Sequence, residues 1–393
     1  MSHRLISLSP DLFQLRSEGY DIEVRSGHLL LKSVPYVDAD RKVRRGTLVS
    51  PLTVNGDKAG RPNDHTLYFV GSHPHTANGT LLEGIRNNSQ KKTLADGLVV
   101  DHRFSAKPKV TGKYRDYHHK MTTYVAVISG EARKIDAGVT AQTCAIVEPA
   151  PDDSPFCYLD TSSTRAGVGA ITAKLQRQKI ALVGCGGTGS YIVDLVSKTP
   201  VAEIHLYDGD TFSNHNAFRS PGAASLDDLR AHSSKVAYLK DRYSKMHRAI
   251  HAHEAYLTEQ NIDELKAFDF VFLCLDRGQA KKLAVDKLQG WGKPFIDVGM
   301  GVEESSGSLR GQVRVTTSTP SKRDHLSQRV SLAGGVGEDD YASNIQIADL
   351  NALNAALAVI KWKKLCGFYQ DLDHEHHCLY TINGNQLVNE DVA

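Results

Sequence analysis

Four glycines between two apolar runs are the first residues in this chain whose spacing suggests a chemical role. They follow a run at residues 180–183, and a second run at residues 204–207 ends on Asp208. Strand, glycine turn, helix, strand and acid in this order are typical of a nucleotide-binding βαβ unit. Glycine lets the backbone turn tightly and lets a phosphate approach the helix N-terminus, where free N–H groups favour anions. We expect this cradle to be formed by Gly184, Gly186, Gly187 and Gly189.

The polar residues that follow favour nucleotidyl transfer over hydride transfer. A NAD-binding unit needs one acid after its second strand, whereas here Asp208 is followed by further candidates. Basic side chains near a phosphate site stabilise charge on a transferring phosphate. A carboxylate at a strand end suits magnesium, which prefers oxygen ligands. The candidates are Asp210, Asn216, Arg219, Lys235 and Asp276.

Alternating strands and helices must position these residues. From residue 179 onward the alternation predicts a Rossmann-like, doubly wound and mostly parallel sheet with helices on both faces. The carboxyl ends of such strands converge on one crevice, where ligands bind. We predict strands at 180–183, 204–207, 250–255, 270–274 and 294–298, and helices from 188 and at 226–246, 260–266 and 279–288. Beyond them we predict a β segment at 309–316, a polar loop at 317–342, a core or interface helix at 344–365, and a hairpin of 379–382 and 386–388.

Residues 1–150 lack long helical periodicity after the first 20 residues. Short strand-like runs at 28–32, 47–52, 65–70 and 122–129 predict a smaller mixed or mostly β domain. We therefore divide the chain into domains at 1–150 and 151–393. The stretch from His374 to His377 favours a solvated turn, because adjacent histidines do not easily face one ion. The first domain also contains six histidines that could be metal ligands, but their spacing favours surface or hydrogen-bonding roles. They are His65, His73, His75, His102, His118 and His119.

Composition excludes several classes of protein. The 393 residues include 47 basic and 45 acidic side chains, so no bulk charge favours nucleic acid or a membrane. No apolar segment reaches the roughly 20 residues that span a bilayer, and the N-terminus lacks a signal-peptide core. The six cysteines include no Cys-x-x-Cys pair, so we expect neither a disulfide framework nor structural zinc. We expect a cytoplasmic protein.

Taken together, the motifs resemble those of the ThiF-type adenylyltransferases of the ubiquitin-activating enzyme superfamily. The resemblance covers about residues 160–370 and includes the glycine turn, the acids at 208 and 210, and the stretch from Pro294 through Asp297 to Gly299. It implies ATP and Mg²⁺ as cofactors and a ubiquitin-like or sulfur-carrier protein as the partner. In the implied reaction, the C-terminal glycine carboxylate of that partner attacks the α-phosphorus of ATP, giving an acyl adenylate and pyrophosphate.

The resemblance also implies roles for individual residues. Asp208 would bind the ribose hydroxyls, and Asp276 would serve Mg·ATP. Arg165 lies where an arginine finger would reach the nucleotide of the partner subunit in a homodimer. The positions that would contact the ATP phosphates are Asn216, Arg219 and Lys235.

The chain departs from the family pattern in ways that limit the implied chemistry. Ser220 follows Arg219 where the family has glutamine, and Arg277 follows Asp276 where it has asparagine. No cysteine lies between 274 and 366, so the loop that normally carries a thioester nucleophile has none. Three explanations stay open: the enzyme stops at the adenylate, a cysteine of the first domain or of a partner serves, or a loop hydroxyl forms an oxyester. The loop hydroxyls are Ser318, Ser321, Ser327 and Ser331.

Other functions also stay open. ThiF-type activation of a small carboxylate or of a tRNA base is one alternative, and a NAD-binding Rossmann protein or an inactive scaffold is another. Residues 1–150 resemble N-terminal extensions of bacterial ThiF-type proteins, so we expect them to recruit the ubiquitin-like protein or a conjugating enzyme. The stretches to probe there are residues 64–66 and 117–119.

Overall fold

The computed structural model describes residues 2–108, 111–149, 154–166, 168–276, 278–332 and 345–392. The chain divides into two compact units, residues 1–147 (unit 1) and 148–393 (unit 2). Among the described residues, no helix is long and apolar enough to cross a membrane.

Unit 1 is built on a six-stranded antiparallel sheet in the order β1-β2-β3-β6-β10-β7. Leu29 and Leu31 pack with the helices of the unit, whereas Leu30 packs on the opposite face with a small β8–β9 hairpin. This alternation is the period of two that strand geometry imposes. The helices are α1 (Ser2–Leu8), α2 (Pro10–Ser17) and α3 (Tyr117–Ile135). The strands are β1 (Ile22–Arg25), β2 (His28–Val37), β3 (Val43–Pro51), β4 (Val54–Asn55), β5 (Lys58–Ala59), β6 (Thr66–Val70), β7 (Arg86–Asn88), β8 (Lys92–Ala95), β9 (Leu98–Val100) and β10 (His102–Ser105).

The strand predicted at 122–129 is wrong, because these residues lie inside helix α3. The run is rich in β-branched residues, which favour strands. Its buried side chains nevertheless recur at helical spacing, at Tyr117, Met121, Tyr124 and Ile128. Asp116 caps the helix by accepting a hydrogen bond from the backbone N–H of His119 at 2.7 Å.

Unit 2 carries an eight-stranded sheet in the order β13-β12-β11-β14-β15-β16-β17-β18. The first five strands are parallel and the last three antiparallel, which confirms the predicted Rossmann-like α/β fold, preceded in the sequence by a smaller, mostly β unit. The strands are β11 (Lys179–Val183), β12 (Glu203–Tyr207), β13 (Ile250–His253), β14 (Phe270–Leu273), β15 (Phe295–Ser305), β16 (Ser308–Ser318), β17 (His377–Thr381) and β18 (Gln386–Glu390).

Helices cover both faces of this sheet, as predicted for a doubly wound fold. Ile180 and Leu182 pack with α6, α9 and α12, whereas Ala181 and Val183 pack with α10 and the 3₁₀ turn Ile262–Ala267. The helices are α4 (Thr161–Arg165), α5 (Gly169–Thr172), α6 (Gly187–Ser197), α7 (Asn214–Ala217), α8 (Leu226–Arg230), α9 (Lys235–Tyr243), α10 (Gln279–Gly290), α11 (Leu326–Arg329) and α12 (Ala348–Leu365).

Two further local predictions need correction. The helix predicted at 226–246 is two helices, α8 and α9, because His232 adopts a φ of 48° between them and Ser234 caps the second. The solvated turn predicted at His374–His377 is also wrong, since Glu375, His376 and His377 are 4–6% exposed. Part of the predicted 317–342 loop and the predicted helix start at 344 lie outside the described residues.

Candidate functional site

A cavity of about 250 Å³ lies at the carboxyl ends of the parallel strands of unit 2. Its walls include the strand ends Val183 and Tyr207, the segment after β14, and Gly299 of β15. Open α/β sheets bind ligands in this crevice. The predicted site residues that line it are Gly184, Gly186, Gly187, Gly189, Asp208, Asp210, Arg219, Lys235 and Asp276.

The positions of the turn are glycine for different structural reasons. Gly184 has a φ of +89°, and a Cβ there would lie 2.6 Å from the carbonyl oxygen of Cys274. A Cβ on Gly189 would lie 2.0 Å from the carbonyl oxygen of Gly184. A Cβ on Gly186 would meet no heavy atom within 4 Å. The turn therefore leaves open space at the N-terminus of α6, where a phosphate can approach.

Two carboxylates hold a buried lysine at the side of the cavity. Lys235, which is 7% exposed, places Nζ 2.5 Å from Oδ2 of Asp210 and 3.8 Å from Oδ1 of Asp208. Asp208 is fixed in turn by the backbone N–H groups of Cys185 at 2.7 Å and Asp210 at 2.9 Å. The cavity thus contains a cation whose position is set by two strand-end acids.

Asp210 has a second donor in Tyr256, whose hydroxyl hydrogen-bonds to the other carboxylate oxygen. Burial raises the pKa of Asp210, but the hydrogen bonds from Lys235 and Tyr256 outweigh burial and hold that pKa below its usual range. Asp210 is therefore ionised at neutral pH and balances the charge of Lys235.

Arg219 and Asn216 come from the turn that includes α7. Asn216 accepts a hydrogen bond from the backbone N–H of Ser213 at 3.0 Å and so helps to cap α7. It is 1% exposed and does not line the cavity, whereas Arg219 does. Among the described residues, Nδ2 of Asn216 and Nε of Arg219 have no hydrogen-bond partner. The structure therefore brings Arg219 to the cavity and leaves Asn216 behind it as a capping residue with a spare donor.

Asp276 and Arg165 differ in how far the structure describes them. Asp276 is exposed and lines the cavity after β14. The backbone of Arg165 ends α4, but its side chain, like residue Arg277, lies outside the described part. The described residues contain no group of three His, Cys, Asp or Glu side chains that could hold a metal. Asp276 can still serve Mg²⁺, which needs only one or two carboxylates when it keeps water and phosphate ligands.

Sequence reasoning missed a buried ion network beside the cavity. Asp297 is fully buried, and Nη2 of Arg314 donates to its Oδ2 at 2.5 Å. Nζ of Lys281 lies 2.7 Å from Oδ1 of Asp297 in an ion pair that lacks directed hydrogen-bond geometry. A signal existed, because Lys281 lies in the first turn of α10, where the helix dipole disfavours a cation that has no anionic partner.

Sequence reasoning also missed two asparagines of α12 that line the cavity. We predict this helix to be core or interface, and Asn351 and Asn354 are buried at 1% and 0% exposed, but both also line the cavity. Thr188 donates its hydroxyl to Oδ1 of Asn351 at 2.8 Å, and Asn354 donates Nδ2 to the carbonyl oxygen of Gly299 at 3.0 Å. Two asparagines three residues apart in an apolar helix share one face, which is the signal that could have found them.

The cysteines near the cavity are poor nucleophiles. Cys185 is buried and Cys274 lines the cavity, and burial raises the pKa of each thiol above its usual range. Of the loop serines, Ser318 is 2% exposed at the end of β16 and Ser327 lies in α11, while Ser331 is exposed. Ser321 places its hydroxyl 3.0 Å from that of Thr319.

Fold and cavity together define unit 2 as a nucleotide-binding α/β unit of Rossmann-like topology. Residues 163–349 match the ThiF family, so this region is a ThiF family domain. Residues 10–161 match a domain of unknown function, DUF6791. The ThiF match supports adenylyltransferase activity, that is, ATP-dependent adenylation of a carboxylate in general.

Solved structures similar to this chain include those of the enzyme MccB. E. coli MccB with MccA-N7isoASN is 19% identical over 57% of this chain and 66% of that chain, with a TM-score of 0.47. The microcin C7 biosynthetic enzyme MccB with N-formylated MccA is 19% identical over 57% and 67%, with a TM-score of 0.46. E. coli MccB with ATP is 18% identical over 57% and 66%, also at 0.46. This chain therefore spans about two thirds of the length of those proteins. No curated protein sequence matches it.

Proposed function

We propose that unit 2 adenylates the C-terminal glycine carboxylate of a ubiquitin-like or sulfur-carrier protein, using ATP and releasing pyrophosphate. The observation that carries the proposal is the cavity, whose lining includes the open glycine turn, Lys235 and Arg219. Two cations beside a helix N-terminus suit a polyphosphate whose charge is redistributed during transfer. Hydride transfer to NAD would need neither cation.

The residues act by binding and orienting the phosphates. We propose that Asp208, which lines the cavity, accepts hydrogen bonds from the ribose and that the phosphates occupy the open space at Gly186. An oxygen of the substrate carboxylate attacks the α-phosphorus, the new P–O bond forms, and the bond to the leaving pyrophosphate breaks with its electron pair. Lys235 and Arg219 stabilise the negative charge that moves onto the phosphate oxygens. When bound at Asp276, Mg²⁺ would supply charge neutralisation for the leaving pyrophosphate.

The proposal extends to partners that the cavity alone does not define. We propose a homodimer in which Arg165 reaches the nucleotide of the partner subunit. Unit 1 would recruit the ubiquitin-like protein or a conjugating enzyme. Because the chain between 274 and 366 has no cysteine and burial raises the pKa of the Cys185 and Cys274 thiols, we favour an enzyme that stops at the adenylate.

ATP–pyrophosphate exchange tests the proposal. We expect exchange that depends on an added ubiquitin-like protein with a C-terminal glycine. We expect Asp276→Ala to abolish it, while the matched change Asp286→Ala on the exposed face of α10 leaves it unchanged. Full exchange by Asp276→Ala would remove this residue from the site. Exchange only with a small carboxylate or with tRNA would favour the small-substrate alternative, and NAD binding without exchange would favour a dinucleotide-binding protein.

A further inference from the structure

We infer that Asn354 accepts a hydrogen bond from the last peptide N–H of the activated tail, and that Asn351 donates to the phosphate end of the acyl adenylate. The site would then read a polypeptide main chain rather than a simple small carboxylate. This inference rests on the proposed adenylation function and identifies residues that select its substrate class.

Asn351 lies directly on the glycine turn. A Cβ on Gly187 would lie 2.3 Å from Nδ2 of Asn351, so the amide fits only because that position is glycine. Its Oδ1 is occupied by the hydroxyl of Thr188 at 2.8 Å. Its Nδ2 is buried and has no hydrogen-bond partner among the described residues. An unused donor at the start of α6 suits an anionic oxygen.

One contact of Asn354 distinguishes its amide nitrogen from its amide oxygen. It lies 3.0 Å from the carbonyl oxygen of Gly299, which can only accept, so the atom facing that oxygen is Nδ2. Oδ1 therefore points away from Gly299 as a fixed acceptor. It is buried and, within the described ranges, has no donor. A buried acceptor without a donor is destabilising, and a ligand with a suitably placed N–H would recover that free energy.

The phosphates of ATP and an ionised carboxylate do not supply that donor. Ionised phosphate and carboxylate oxygens only accept, whereas each peptide unit of a polypeptide tail carries an N–H. Asn351 and Asn354 lie three residues apart, about 4.5 Å along the axis of α12. The bonds between the phosphorus of an acyl adenylate and its last peptide nitrogen span a similar length. One amide can therefore face the phosphate while the other faces the peptide N–H.

The test uses stable acyl-adenylate analogues bound to the full chain and measured by calorimetry. The probes are sulfamoyladenosine, its N-acetyl-glycyl-glycyl derivative, and the same derivative with an ester oxygen in place of the last peptide N–H. We expect the amide derivative to bind wild type about tenfold more tightly than the ester derivative, the size of one buried hydrogen bond. Equal affinity of the two derivatives for wild type would overturn the inference and leave the nucleotide site intact.

Asn354→Leu provides the second arm, because leucine has a similar size and no acceptor. We expect the preference for the amide derivative to disappear in this variant, while the affinity for sulfamoyladenosine stays within about twofold of wild type. A preference that persists in a folded variant would assign the contact to another residue. If Asn354→Leu does not fold, the comparison of the two ligands on wild type still decides. Failure of sulfamoyladenosine itself to bind would refute the proposed adenylation, and the inference with it.

Discussion

Lys235 sets the electrostatics of the cavity because it is the cation shared by two strand-end acids. Without it, the buried Asp208 and the partly exposed Asp210 would lose the cation that lies within 4 Å of both carboxylates. The phosphates would also lose a donor that is held in position before they bind. Both effects oppose the binding of an anionic nucleotide.

We therefore predict that Lys235→Met lowers adenylation by about 10²–10³-fold, as expected when one positioned donor is removed from charge that develops during a reaction. ATP–pyrophosphate exchange measures this loss. Lys240→Met changes an exposed lysine of the same helix and should retain wild-type exchange. Equal exchange in both variants would show that Lys235 serves only the packing of α9.

Lys120 of unit 1 gives a second prediction, for stability rather than activity. Lys120 is 1% exposed, and its ammonium group donates to Oγ of Ser50 at 2.9 Å and to the carbonyl oxygen of Asp64 at 2.8 Å. Burial lowers the pKa of Lys120 to about 8, from 10.5 in the unfolded chain. Between these values the unfolded state binds more protons, so the contribution of Lys120 to stability increases as the pH rises.

We predict that wild type gains about 1–3 kcal/mol of unfolding free energy relative to Lys120→Met between pH 7.5 and pH 10. Urea denaturation of both proteins across this range measures the difference, in which other titrating groups cancel. A difference that does not change with pH would mean that Lys120 keeps its proton in the folded state.

Elements with a purely local signal could be predicted from the sequence. The glycine turn, the strands on either side of it and the parallel order follow from glycine spacing and short apolar runs between 179 and 299. Helix α3 could not be assigned from composition, because its β-branched residues favour a strand while its burial follows a helical period. The break between α8 and α9 depends on the left-handed backbone of His232, which no residue type there requires.

The residues of the candidate site likewise divide into those that local sequence predicts and those that it does not. Asp208, Lys235 and Asp276 could be predicted because each stands at a strand end or in the first turn of a helix. Local signals mark Asn354 and Lys281 as unusual, but their roles could not be predicted, because these depend on α12, α10 and β15 approaching the same cavity. Such contacts join residues far apart in the chain, and only the folded sheet brings them together.

Different glycines of the turn serve packing and ligand binding, and two substitutions distinguish these roles. Gly189→Ala places a methyl group 2.0 Å from the carbonyl oxygen of Gly184, so we predict a loss of about 1–3 kcal/mol in the unfolding free energy. Gly186→Ala places its methyl group in open space of the cavity, so we predict nearly unchanged stability and weaker ATP binding. Thermal unfolding and ATP titration of both variants measure the two effects. Wild-type ATP affinity in Gly186→Ala would exclude this space as the phosphate position.

The stability of unit 2 as a whole should depend on pH through His247. This residue is fully buried, beside Phe156, in the segment that leads from α9 into β13. Its Nε2 donates to the carbonyl oxygen of Val201 at 3.1 Å, and its Nδ1 accepts from the N–H of Ala249 at 3.3 Å. A proton on Nδ1 would face another donor, so the fold requires the neutral imidazole.

Burial lowers the pKa of His247 to about 4, from 6.5 in the unfolded chain. The unfolded state therefore binds more protons between these values, so the full stability is present above pH 6.5 and is lost as the pH falls toward 4. We predict that wild type loses about 2–3 kcal/mol more unfolding free energy over this range than His247→Gln, which keeps a donor and an acceptor without titrating there. The exposed change His251→Gln should follow wild type. Denaturant unfolding at each pH measures the unfolding free energy of all three proteins. Parallel pH profiles for wild type and His247→Gln would contradict the role of His247, because the difference should come from the neutral imidazole that its hydrogen bonds require.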